Sequence, residues 1–238
     1  MRSISPHIHL AHHLHISNVW LFADTENRHW LIDTGHPLER PWLMRQLARQ
    51  GIRSAGDLTG ILLTHRHSDH AGNAGYLRDY FRCPVYCHAD DAPYLNGERS
   101  PLRLARGVGS WPYELLCHIE DRWPSTTTID DTWSSGRWIE GWETVHVPGH
   151  TEGSSLLYHE ATATLFTGDA ILVGSPPFRF DKTLRLAHPA FSLDVDRCRQ
   201  AVRDFLAHSP PISTLCSGHG PAVLEEAQPR LRKLLRQP

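Results

Sequence analysis

The stretch LTHRHSDHAGN, residues 63–73, places three histidines and an aspartate within the six positions from His65 to His70. Polar side chains of this kind are seldom buried without partners, because each unsatisfied group costs free energy. The run just before it, GILLTH over 60–65, is apolar as far as Leu63 and reads as a strand covered on both faces. The cluster therefore begins where a buried strand ends. Either it is a solvated loop in a chain with 18 histidines among 238 residues, or cations sit among its side chains.

Three stretches farther along share its character. VPGHTEGS carries His150, LFTGDA carries Asp169 and LCSGHGP carries His219. In each, the ligand-type residue adjoins glycine at the end of an apolar run, where glycine lets the backbone turn sharply and approach a buried site. Residues at strand ends converge on one edge of a sheet, the usual place for chemistry in α/β proteins.

The spacing points to more than one ion. His65 and His67, two apart in extended chain, point to the same side. Asp69 and His70 are adjacent and splay apart, so the four do not easily wrap one tetrahedral ion. Imidazole and carboxylate together suit zinc, iron or manganese. With His150, Asp169 and His219 added, the set suffices for two divalent ions sharing a carboxylate and a water.

On the motifs IDTG, THRHSDHAGN, VPGHTEGS, FTGD and SGHGP, in this order and spacing, the sequence resembles the metallo-β-lactamase fold superfamily of hydrolases. The resemblance implies a four-layer αββα sandwich with metals at one edge. It implies that His65, His67 and His150 hold one metal, that Asp69, His70 and His219 hold the second, and that Asp169 bridges. Asp33 of IDTG would lie just behind the ligands. The resemblance also narrows the activity. Lactamases of the related zinc classes lack the bridging Asp. Glyoxalase II enzymes have a Gly-Arg-rich stretch after it and a C-terminal helical domain that grips glutathione, neither of which is evident here. Acyl-homoserine lactonases put Tyr where this chain has Leu172.

The rest of the chain fits one α/β domain over 1–238. Hydrophobic residues make up 40% and charged residues 21%, which excludes wholesale disorder. The net charge is −2 and basic runs are short, so nucleic acid is not an expected partner. No run is long enough for a membrane span, and the N-terminal residues lack a signal-peptide core, so the expected location is the cytoplasm. Five cysteines, an odd number, read as reduced thiols there. Cys83 and Cys87 bracket a short strand, PVYC, rather than a zinc clip.

Strands are expected at VWLFAD and HWLIDTG, paired as a hairpin about TENR. Further strands are expected at TTIDDTW, RWIE, WETVHV, SSLLYH, TLFTGD and ISTLCSG. Helices are expected over 41–50, 72–82, 191–208 and 222–236, with 89–127 irregular. The histidines of HIHLAHHLH, residues 7–15, read as an edge strand, and His88 as a hydrogen-bonded core residue. The segment AILVGSPPFRFDKTLR, leaving Asp169, is expected to cross the rim of the metal pocket. There Phe178, Arg179, Phe180, Lys182 and Arg185 would contact an anionic small-molecule substrate.

The expected activity is hydrolysis of a thioester, ester or lactone by a metal-bound hydroxide, with Asp69 the one candidate acid for the leaving group. Three alternatives stand beside it. One is a mononuclear iron sulfur dioxygenase-like enzyme using His65, His150 and Asp169, another a phosphodiesterase of the same fold, and the third a metal-binding sensor.

Overall fold

The computed structural model describes residues 1–11, 14, 16–100, 125–139, 141–175, 179–224 and 226–236. The first half forms a seven-stranded sheet in sequence order, from β1 (Arg2–Ser5) and β2 (Ile8–Leu10) through β3 (Trp20–Ala23), β4 (His29–Ile32), β5 (Gly60–Leu62) and β6 (Val85–His88) to β7 (Asp131–Trp133). The first four strands are antiparallel meanders, and β4 to β7 run parallel. The second half supplies β8 (Gly136–Ile139), β9 (Trp142–His146), β10 (Ser155–His159), β11 (Thr164–Gly168) and β14 (Thr214–Ser217), in the order β14-β11-β10-β9-β8. A separate hairpin joins β12 (Ile171–Ser175) to β13 (Arg179–Leu186).

The layering follows from strand periodicity, since alternate residues face opposite sides of a sheet. On β3, Trp20 and Phe22 face the second sheet, whereas Leu21 faces helices α1 (Arg40–Arg49) and α3 (Ala74–Phe81). On β10 and β11, Leu157 and Phe166 meet those aromatics from the other side. Leu156, Tyr158 and Leu165 instead face α5 (Val195–His208) and α6 (Ala227–Leu234). Three cores thus separate four layers, helix, sheet, sheet, helix. At the centre, Phe22 meets Trp142 edge-on at 5.2 Å and Phe166 at 5.7 Å. Removing a ring such as Phe166 would cost about 3–5 kcal/mol.

Helix α1 lies where the apolar spacing put it, and Gly51, at φ 88°, ends it in the left-handed conformation. Other boundaries move. The expected helix over 72–82 divides into a short α2 (Ser68–Ala71), which contains Asp69 and His70, and α3. The expected helix over 191–208 starts at Val195, because Asp194 caps it by accepting from the Arg197 N–H at 3.0 Å. The terminal helix begins at Ala227 rather than 222, because Val223 bridges Leu215 of β14. The N-terminal histidine segment contributes β2, which pairs on both sides and is not an edge.

The segment after Asp169 is likewise a paired hairpin and not a free loop. Ile171, Val173 and Leu184 bury one of its faces in the core beneath α5 and α6, and Arg230 of α6 donates to the Lys182 carbonyl. Lys182 itself is exposed. Arg185 pairs across the ladder with Leu172, on the opposite face from Leu184. Phe178 lies outside the described residues, as do the side chains of Arg179 and Phe180. Among the described residues, no helix is long and apolar enough to cross a membrane.

Candidate metal centre

Asp33 follows β4, His65 follows β5, His150 follows β9, Asp169 follows β11 and His219 follows β14, all at the carboxyl ends of their strands. The parallel pairings β4–β5 and β11–β14 bring those ends to one edge of the molecule. Residues far apart in sequence and lying in two sheets therefore meet.

Three of the imidazoles, those of His65, His70 and His150, are oriented by a neighbour at Nδ1. Thr64 donates to both oxygens of Asp33, at 3.1 and 2.8 Å, and its oxygen stands 3.1 Å from His65 Nδ1. The hydroxyl of Ser192 donates to the His188 carbonyl and lies 3.1 Å from His150 Nδ1. Asp33 Oδ2 lies 2.8 Å from His70 Nδ1. An acceptor at Nδ1 fixes the tautomer that leaves Nε2 as a lone pair for a metal. Asp33 holds this post with a left-handed backbone at φ 59°, a conformation costing a non-glycine residue about 1–2 kcal/mol.

The Nε2 atoms converge. Ligand atoms of His65, His67 and His150 lie within 4.8 Å of one another, as do those of His65, His70 and Asp169 and those of Asp69, His70 and His219. Asp169 Oδ1 is 3.3 Å from His70 Nε2, and Asp169 Oδ2 is 3.3 Å from His219 Nε2 and 3.8 Å from His150 Nε2. Asp69 Oδ2 stands 3.4 Å from both His70 Nε2 and His219 Nε2. The seven residues expected as ligands all come together, with Asp169 between the two groups.

These residues fit metal ions on three counts. His67 Nε2, His70 Nε2 and Asp169 Oδ1 are buried without a hydrogen-bond partner. His65 Nε2 and His150 Nε2 face each other at 3.2 Å, near the separation of about 3.4 Å for two nitrogens on one tetrahedral zinc. The third count is charge. Burial, reinforced by the neighbouring imidazoles, holds His65 and His67 well below the ordinary histidine pKa, and burial lowers His150 to about 4. Around the second group burial also disfavours charge, but carboxylates outweigh it. Asp69, Asp169 and Asp33 hold His70 well above its ordinary value, and Asp169 with Asp69 raises His219 to about 10. The first group is thus a neutral nitrogen trio and the second a demand for positive charge.

Glycine forms one wall. A Cβ on Gly218 would lie 2.4 Å from Asp169 Oδ1 and 2.6 Å from His70 Cε1, so only glycine fits.

A profile of the metallo-beta-lactamase superfamily matches residues 14–219, spanning every one of these candidate ligands. The chain belongs to that superfamily. The probable metallo-hydrolase YybB of Bacillus subtilis is 25% identical over 222 residues, covering 87% of this chain and 82% of the relative. A hydroxyacylglutathione hydrolase of Alkalilimnicola ehrlichii is 27% identical over 219 residues, covering 92% and 70%. Among solved structures, the di-iron-bound form of TTHA1623 superposes with a TM-score of 0.64 at 23% identity, covering 90% of this chain and 93% of its own. The αββα fold of this superfamily is the architecture described above.

Sequence reasoning missed several supporting residues. Thr64 and Ser192 orient ligands but carry no spacing signature. Asp91 is fully buried beside the ligand loops, and only its place just past a strand end hinted at a role. His88 is the buried, hydrogen-bonded histidine expected, but it has a partner from the other sheet. Its ring stacks on His146 at 3.8 Å, with Asp90 nearby. Its Nδ1 already accepts from the Asp90 N–H, and His146 Nε2 lies 2.8 Å from the Glu152 carbonyl, so this second group is committed to protein hydrogen bonds.

Proposed function

We propose that this metallo-hydrolase holds two divalent ions, most simply zinc, and hydrolyses a small carbonyl compound: a thioester, ester or lactone. The observation that carries this reading is the position of Asp169 between two ligand groups, within 3.3 Å of His70 and His219 and 3.8 Å of His150. His65, His67 and His150 would hold one ion, Asp69, His70 and His219 the other, and Asp169 would reach both. Iron and manganese suit the same donors.

When bound, the ions supply a water acidified toward a pKa of about 7 and a Lewis acid for the developing oxyanion. The chain's part is to hold and orient. Thr64, Ser192 and Asp33 fix the imidazoles before substrate arrives, so no reorganisation is required during the reaction. Asp69 is the carboxyl group placed to carry a proton to a leaving group, but burial is outweighed by His70 and His219, which hold it well below the usual carboxylate range. An acid so seldom protonated favours leaving groups that need little help. A thiolate, with a parent pKa of about 8.5, is such a group. The hydroxyacylglutathione hydrolase among the relatives points the same way.

The test combines metal analysis with a panel of thioester, lactone and phosphodiester substrates and an oxygen electrode. The expected result is close to two ions per chain, turnover of the carbonyl substrates, and loss of more than one ion in Asp169→Ala. One tightly held iron with oxygen uptake would replace this reading with an oxygenase. Preferential turnover of phosphodiesters would move the substrate class.

A further inference from the structure

Asp91 touches none of the proposed ligands, yet its fully buried carboxylate joins the two loops that carry the first three of them. Its Oδ2 accepts from the Arg66 N–H at 3.0 Å and from the Thr151 hydroxyl at 2.8 Å, and its Oδ1 accepts from the Gly153 N–H at 2.8 Å. Arg66 lies between His65 and His67 and belongs to the first sheet's loop. Thr151 and Gly153 follow His150 on a loop of the second sheet. Asp91 comes from a third element, at the start of α4 (Ala92–Leu95), where its own N–H is tied to the His88 carbonyl at 3.0 Å.

The surroundings are fitted to this arrangement. A Cβ at Gly153 would come within 2.7 Å of the Asp91 backbone nitrogen and of Asp91 Cγ, so the second loop can approach only as glycine. The Arg66 guanidinium lies 3.7 Å from Asp91 Oδ1, bonds Glu152 at 3.0 Å and sits 4.6 Å over the Tyr94 ring. Tyr94 in turn donates to Glu152 at 2.8 Å. A second, side-chain link thus runs between the same two loops.

We infer that Asp91 is a positioning residue that clamps the His65–His67 loop to the His150 loop and so sets the separation of the three imidazoles of the first metal. The inference rests on the ligand set proposed above. His65 and His67 are fixed to each other by the chain, with ring centroids 4.8 Å apart, but the distance of either from His150 is set only by contacts between sheets. Asp91 is the one described residue whose side chain bonds the backbone of one ligand loop and both backbone and side chain of the other. A carboxylate suits this post because it accepts at both oxygens. An amide must turn an N–H toward at least one of the three donors.

The experiment measures stepwise Zn²⁺ affinity of the metal-stripped protein by competition with a chromophoric chelator, and records the Co²⁺ absorption spectrum. Asp91→Asn, Thr151→Val and a distant control, Asp130→Asn, are compared with the unmodified chain. Asp130 bonds Arg78 and the Val85 N–H and serves as a purely structural acid. Asp91→Asn should weaken the first binding step by about tenfold, the low end of what losing a direct partner of a ligand costs, because Asp91 holds the loops and not the imidazoles. Thr151→Val, which cuts one link, should weaken it less, and both should alter the Co²⁺ spectrum. Asp130→Asn should lower thermal stability without moving either readout. If Asp91→Asn does not fold, Thr151→Val decides. Affinity within twofold of the unmodified chain and an unchanged spectrum, in folded variants, would overturn the inference. Absence of metal binding by the unmodified chain would instead remove the ligand assignment beneath it.

Discussion

His65 Nε2 faces His150 Nε2 across 3.2 Å, although 85 positions separate the two histidines and strands of different sheets deliver them. Two lone pairs so directed repel unless a proton or a cation lies between them, and burial disfavours the proton on both rings. Stripping the metal should therefore weaken the junction between the sheets. Thermal unfolding of chelated and reloaded protein measures this. The reloaded form should melt higher, with a gain of about 2.7 kcal/mol at a free metal concentration a hundredfold above Kd. A melting temperature indifferent to metal would remove these imidazoles from the ligand set.

Ser192 offers a narrower test. Its hydroxyl donates to the His188 carbonyl, so its oxygen can receive the Nδ1–H of His150. Ser192→Ala should leave the fold intact and lower metal affinity by about tenfold, because the imidazole can then turn and change tautomer. Chelator competition reads the loss. Ser192→Thr, which restores a hydroxyl, should recover most of it.

Acid should act at the stacked pair His88–His146 as well as at the ligand-type histidines. Burial, and then the charge of His146, depress His88 to about 4. The unfolded chain, with a histidine pKa of about 6.5, binds this proton more readily than the native one. Stability from this group is therefore complete above about pH 6.5 and is lost as pH falls toward 4. Urea titrations at pH 7 and pH 5 should show a smaller loss for His88→Gln than for the unmodified chain. Equal losses would place the acid sensitivity elsewhere.

The cations after Asp169 separate into two cases. Lys182 is exposed and its carbonyl is tied to α6, so Lys182→Ala should leave KM unchanged for anionic and neutral versions of one ester. Arg185 shares a face with Leu172, three residues beyond Asp169. Arg185→Ala should raise KM several-fold for the anionic ester alone if that face borders the substrate. Equal small effects on both esters would make Arg185 a structural residue of the hairpin.

The residues that proved legible in sequence are those whose position depends on strand ends. GILLTH reads as a buried strand, and β5 is indeed parallel to a neighbour on each side, with its final residues directed to the sheet edge. What stayed hidden depends on contacts between distant segments. His146 reaches His88 from the other sheet, and Asp91 grips loops that follow β5 and β9. The segment leaving Asp169 reads as a crossing of the pocket rim, but its described residues form a hairpin whose apolar alternation, Ile171 and Val173 against Leu184, is visible only once the pairing is known. The start of α5 moved because a single side chain, Asp194, supplies the cap.

Gly218 bears on how such a site can change over time. Any replacement adds a Cβ where Asp169 and His70 already stand, so this wall of the cavity offers natural variation no foothold. The backbone at Gly218 is closed to gradual remodelling, whereas the hairpin that follows Asp169 carries an exposed side chain, Lys182, that can be exchanged without meeting those residues. Change over time would therefore enter this half of the chain through the hairpin, while the glycine wall beside Asp169 and His70 stays as it is.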